Sequence, residues 1–193
     1  MSNNKPLLVM FVGIPGSGKT TFARQLAKEL PAVILNSDSM RLGMWKTLDD
    51  IQRTHKNTEE RRHANQLTFG AMNYATKQIL AAGDNVLYDC NANHKWERQE
   101  KHDIASEIGA MSVVIRISVP YELSLRRVQE REVTHDQRRM SLERAVEVLE
   151  RFTNEIEEPT PHERVITIDG AMPFKEQLRL FRQQLVRVTG YDD

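Results

Sequence analysis

In "GIPGSGKTTF", Gly13 is followed after four residues by Gly18, Lys19 and Thr20. That order is the phosphate-loop pattern G-x-x-x-x-G-K-[ST]. Glycines let the backbone curl until successive N–H groups point inward, where they hold phosphate oxygens. The expected nucleotide cradle is Gly13, Ile14, Pro15, Gly16, Ser17, Gly18, Lys19, Thr20 and Thr21. Lys19 would reach the β- and γ-phosphates, and the Thr20 hydroxyl would serve Mg2+. The helix starting there adds its positive dipole end. The competing reading is an ordinary Gly/Pro turn. The apolar run before the loop and the helical spacing after it supply the strand–loop–helix context the motif requires.

Held phosphates can be hydrolysed, sensed or transferred. A guanine-reading switch protein needs N-K-x-D, but the Asn4–Lys5 pair lacks the aspartate and precedes the first predicted strand. A motor ends a strand in Asp-Glu, the glutamate activating water. Here Asp89 is followed by Cys90 and Asn91, neither of which can be that base. Transfer to a hydroxyl needs a carboxylate near the γ-phosphate to take the proton. "AVILNSDSMR" puts Asp38 two residues after a predicted strand and Arg41 three further on. Asp38 suits equally well the cap of the next helix. Asp89 has two readings as well, a turn cap or a site residue at the sheet's carboxyl edge. Arg127 and Arg131 are four apart, which predicts one shared helix face, with Leu125 and Val128 turned inward. Six arginines lie between Arg126 and Arg144, and the others read as a solvated face.

The elements that must position these residues follow from periodicity. Leu7–Val12, Ala32–Asn36, Asn85–Asp89, Met111–Val119 and Arg164–Asp169 read as strands, mostly continuous apolar runs. Helical spacing runs from Lys19 to Leu30, from Asn57 with a capping box to about Ala82, and from an Asn93 cap to about Glu107. Further helices open at Pro120 and near Ser141, and a last one carries Phe174, Leu178, Phe181, Leu185 and Val188. Leu67, Ala71, Tyr74 and Gln78 are the expected inner face of the long helix, and Leu142, Val146, Leu149 and Phe152 that of the later one. Alternating strands and helices predict an α/β fold, a five-stranded parallel sheet with helices on both faces. A single domain over residues 1–193 is expected, with an arginine-bearing lid at about 120–145.

Composition narrows the class. At 193 residues, 39% apolar and 28% charged, the chain can bury one sizeable core. Twenty-seven basic and 27 acidic residues cancel, so no whole-molecule attraction to nucleic acid is expected. One cysteine, Cys90, excludes an intramolecular disulfide and fits a reducing compartment. "MSNNKP" lacks a signal pattern and no apolar run spans a bilayer, so a cytoplasmic protein without membrane partners is the expectation. The six histidines show no metal-ligand spacing, and Trp45 and Trp96 read as packing residues.

"GIPGSGKTT", "NSDSMR", "VLYDCNAN" and "VPYELSLRRVQER" together resemble the P-loop kinase group that includes polynucleotide 5′-kinase domains, zeta toxins and chloramphenicol phosphotransferase. Order and spacing match over roughly residues 7–170, with the polynucleotide kinase motifs nearest. The resemblance implies an adenylate-kinase-like fold with an AAA-type ATP-binding domain. It makes Asp38 the general base and Arg41 an acceptor contact. Asp89 would hold Arg41 or the water shell of Mg2+, and Arg127 and Arg131 would be lid arginines on the transferring phosphoryl group. The expected activity is ATP- and Mg2+-dependent phosphorylation of a hydroxyl. A polynucleotide 5′-hydroxyl and a small metabolite or nucleotide sugar stand as alternative acceptors. An ATP-binding switch module with slow turnover is the reading from another class.

Overall fold

The computed structural model describes residues 5–46, 58–131 and 140–190. Strands β1 (Leu7–Val12), β2 (Ala32–Asn36), β3 (Asn85–Asn91), β4 (Met111–Ser118) and β5 (Val165–Asp169) form one sheet in the order β2-β3-β1-β4-β5. Every pairing is parallel. All six residues of β1 are fully buried. This is why its sequence is an unbroken apolar run: both faces of a central parallel strand are covered.

The helices are α1 (Lys19–Glu29), α2 (Ser37–Trp45), α3 (Thr58–Ala81), α4 (Lys95–Ile108), α5 (Tyr121–Gln129), α6 (Leu142–Glu155) and α7 (Phe174–Thr189). Side chains alternate across a strand. Leu7, Val9 and Phe11 therefore meet Phe22 and Leu26 of α1 and Phe181 and Leu185 of α7. Leu8 faces the other way, toward Met72 and Leu80 of α3 and Ile104 of α4. Helices α5 and α6 close on each other through Val128, Ala145 and Leu149, and Ile14 of the phosphate loop packs against that cluster. The five-stranded α/β architecture expected from the sequence is the one observed, and among the described residues no helix is long and apolar enough to cross a membrane.

One expected face is wrong and a second is right only in part, Leu149 of α6 being buried as expected. In α3 the buried positions are Ala64, Thr68, Met72, Thr76 and Leu80, while Leu67 and Tyr74 are 46% and 67% exposed. The threonines can be inside because each hydroxyl donates to the carbonyl four residues back, Ala64 and Met72, at 2.8 Å. In α6 the buried residues are Ala145, Val148 and Leu149, and Leu142 is exposed. Asn57 and the 132–139 part of the expected lid lie outside the described residues.

The β1–β3 register jumps. Met10 pairs with Tyr88, but Phe11 pairs with Asn91. Asp89 and Cys90 fall in the gap, as residues at a bulge do, and such an irregularity re-aims side chains at a strand's end. On its other edge Asp89 stays in register with Asn36 of β2. The carboxyl end of β3 is thus shaped to present Asp89 beside the loop that follows β1.

Candidate active site

The loop between β1 and α1 has the form its sequence requires. Gly16 lies at φ +82°, and a Cβ there would sit 2.6 Å from the Ser124 carbonyl oxygen. Buried Ser124 also donates from its hydroxyl to the Pro15 carbonyl. Gly18 is the N-cap of α1 at φ +103° and offers no side-chain cap, so no side chain occupies the helix's first N–H groups. An uncapped N-terminus of this kind is a ready anion site. Across the sheet Gly170, just after β5, lies so close that a Cβ would be 2.2 Å from the Ser17 carbonyl oxygen.

Lys19 Nζ donates to the carbonyls of Gly13 at 2.8 Å and Ile14 at 2.9 Å. An ammonium has three N–H bonds, so two position it and one remains for phosphate. Burial lowers its pKa to about 8, against the pull of Asp89 and with the added push of Arg131. A bound triphosphate favours the charged form. ATP binding at pH 8 is therefore expected to take up roughly half a proton at Lys19. Affinity should decline as pH rises beyond 8, since a neutral lysine must first be reprotonated. Calorimetric titrations in buffers of different ionisation enthalpy measure the uptake directly, and a proton count of zero at pH 8 contradicts it.

Thr20 donates from its hydroxyl to Asp89 Oδ1 at 3.1 Å, and Asn36 Nδ2 donates to Asp89 Oδ2 at 2.6 Å. Asp89 is 3% exposed. Burial raises its pKa, opposed by the bonds from Asn36 and Thr20 and by the Lys19 charge. A hydroxyl and a buried carboxylate side by side are hard oxygen donors suited to Mg2+, which keeps water and takes phosphate oxygens as its other ligands. The residues fit the ion.

Asn36 has a second role. Its Oδ1 accepts from the Ser39 amide at 2.8 Å and so caps α2. The cap is Asn36 and not Asp38. Asp38 instead stands at the helix's first turn, 57% exposed, with Oδ1 3.2 Å from Arg41 Nη1. Arg41 is 13% exposed, donates also to Asn65 Oδ1 at 3.1 Å, and lies over the Phe69 ring. Both Asp89 oxygens accept elsewhere, from Thr20 and Asn36. In this structure Arg41 is thus held by α2 and α3.

Arg127 reaches the loop, its Nη1 3.4 Å from the Gly16 carbonyl oxygen. Helix α5 ends at Gln129 with Glu130 as cap, so Arg131 stands beyond the helix and does not share the expected face. Its charge nonetheless acts on Lys19. Thr21 is exposed on the first turn of α1. Cys90 is half-buried and burial pushes its thiol pKa up, which leaves it a packing residue. Asn93 is not the cap of α4. His94 is, with Glu97 accepting from its amide at 2.9 Å. The Asn93 Oδ1 accepts instead from the Gly13 amide at 3.1 Å.

A parallel sheet in this order, with a glycine-rich loop leading into α1 and Lys19, Thr20 and Asp89 gathered at its carboxyl edge, is a P-loop fold with a kinase-like architecture. The chain belongs to the AAA domain family AAA_33, whose model matches residues 8–159. It is 29% identical over 148 residues to a cytidylate kinase of Pyrobaculum neutrophilum, spanning 70% of this chain and 74% of that one. A gluconokinase from Sinorhizobium meliloti superposes with a TM-score of 0.62 at 19% identity, covering 96% of this chain and 93% of that one. The APS kinase of Mycobacterium tuberculosis, solved with AMPPNP and APS, superposes at 0.58 with 15% identity, covering 97% and 99%. The chain thus has an AAA-family P-loop core with the fold of the kinases it superposes on.

Proposed function

We propose that this chain is an ATP-dependent kinase that transfers the γ-phosphoryl group to a hydroxyl acceptor. One observation carries the reading. The side chain of Asn36 joins the two halves such a reaction needs. On one side it bonds Asp89, which touches Thr20 of the phosphate loop. On the other it starts the helix that bears Asp38 and Arg41. One amide would therefore set donor and acceptor machinery together.

Loop N–H groups and Lys19 would bind the β- and γ-phosphates. Thr20 and Asp89 would hold Mg2+, which would supply positive charge to the phosphates. Asp38 Oδ2 would accept the acceptor's hydroxyl proton as that oxygen bonds to phosphorus and the bond to the ADP oxygen breaks. ADP and a phosphate monoester leave, and the proton stays on Asp38 until solvent takes it. Arg41 would orient the acceptor, and Arg127 and Arg131 would offset charge on the phosphoryl oxygens.

For the acceptor, a polynucleotide 5′-hydroxyl draws support from Arg41 and the arginines after α5. Zero net charge weighs against it. Likeness to a gluconokinase, an APS kinase and a cytidylate kinase supports a small acceptor, although cytidylate offers a phosphate rather than a hydroxyl to the transferred group. A panel of 5′-hydroxyl oligonucleotides, nucleosides, nucleoside monophosphates, sugar acids and nucleotide sugars with γ-labelled ATP tests the reading. Label should move to one hydroxyl class, with ADP formed in proportion. Equal ADP release with and without every acceptor would replace the kinase with an ATP-hydrolysing switch.

A further inference from the structure

We infer that Asn93 is a positioning residue for the phosphate loop, and that the buried Arg98–Glu163 pair positions Asn93. The inference rests on the proposed nucleotide chemistry, but its test reads binding and backbone protection without any acceptor.

Asn93 is 2% exposed, and its Oδ1 accepts from the amide of Gly13, the first residue of the loop, at 3.1 Å. Gly13 has no latitude there, because a Cβ would lie 2.5 Å from the Ile117 carbonyl oxygen. The carbonyl of the same glycine holds Lys19 Nζ. One residue thus bonds Asn93 through its amide and the phosphate-binding lysine through its carbonyl. A shift at Asn93 moves the peptides that aim the ammonium.

Asn93 is itself fixed from several sides. Arg98 is fully buried and donates from Nη1 to the carbonyls of Ala92 and Asn93, both at 3.1 Å. Its Nε donates to Glu163 Oε1 at 2.6 Å. Glu163 in turn accepts from the Thr160 amide at 2.8 Å. The Asn93 carbonyl also accepts from the Glu157 amide at 2.9 Å, and the Ala92 amide donates to Phe11 in β1 at 2.9 Å. A buried ion pair is a poor source of stability, because desolvation offsets the attraction, but it can specify one arrangement. Here the arrangement is the turn that carries Asn93. None of these residues belongs to the phosphate-loop motif. Arg98 and Glu163 need touch no substrate.

Three variants test this in the full-length protein: Asn93→Ala, Asn93→Asp and Glu163→Gln. Asn93→Ala should raise the ATP dissociation constant about tenfold, since a buried amide loses its only acceptor beside the bound phosphates. Amide exchange resolved at Gly13 should speed up by at least about tenfold. Asn93→Asp keeps an acceptor oxygen and should keep Gly13 protected. Glu163→Gln, which weakens the hold on Arg98 without touching the loop, should raise exchange at Gly13 by a smaller factor and weaken ATP accordingly. Gln184→Ala, at the β5 edge where the side chain bonds Thr167, is the control for a general loss of stability and should leave both readouts unchanged. Unchanged Gly13 protection in Asn93→Ala overturns the inference, as does a Gln184→Ala effect equal to that of Glu163→Gln. If Asn93→Ala does not fold, the comparison of Glu163→Gln with Gln184→Ala decides. Failure of the wild-type protein to transfer phosphate to any acceptor, with these binding effects present in the variants, would reject the kinase reading and leave the positioning role standing.

Discussion

Lys19→Ala should reduce phosphoryl transfer by at least about 10²–10³-fold in kcat, the scale seen when one preorganised donor is removed from a transition state. The structure explains why no neighbour can substitute. Lys19 is aimed by two carbonyls of its own loop, at 2.8 and 2.9 Å, so its third N–H would be left for the phosphates. Arg127 is occupied with the Gly16 carbonyl from outside the loop. Arg131 is placed by a segment beyond a helix end rather than by the loop. Lys19→Arg should not restore function, because a planar fork cannot fit between two carbonyls set for a point charge. The variant's thermal midpoint should stay within a few degrees of wild type, since the lost bonds are offset by relief of a desolvated charge. Isothermal titration with ATP and label transfer to the best acceptor measure both halves. Wild-type transfer in Lys19→Ala would remove the phosphate-loop assignment altogether.

What could be read in the sequence was what local physics decides. The strand "LLVMFV" is apolar throughout because both sheet faces are covered, and nothing outside the strand is needed to see that. The phosphate loop is legible for the same reason: its glycines, lysine and threonine are contiguous. Asn36 and Asn93 were not legible as site residues. An asparagine after a strand reads as a turn or cap wherever it occurs, and Asn36 is indeed a cap. The added roles come from partners 53 and 80 residues away, Asp89 and Gly13. Gly170 likewise looks like any strand-end glycine until Ser17 is brought against it. The inner face of α3 was misread because threonine scores as polar. A threonine hydroxyl bonded to its own helix behaves inside as a small apolar group, and Thr68 and Thr76 are used that way. Arg131 was placed on a helix by spacing alone, whereas the helix stops two residues earlier.

Asp38→Asn separates the two roles that spacing left open. The carboxylate is 57% exposed and does not cap α2, since Asn36 does. Its replacement should therefore change stability by no more than about 0.5 kcal/mol. Asparagine also keeps an Oδ1 that can accept from Arg41, so the helix and the guanidinium stay in place. What asparagine cannot do is take a proton. Loss of a general base costs about 10²–10⁴-fold in the transfer step. ATP affinity should stay within about twofold, because Asp38 belongs to α2 and not to the phosphate loop that would hold the nucleotide. A variant that binds ATP normally, melts normally and transfers at a hundredth of the rate or less assigns Asp38 to the proton. Near-normal transfer would instead make Asp38 the holder of Arg41. The base would then have to be sought among other groups, with Asp89 a poor candidate because both of its oxygens already accept hydrogen bonds.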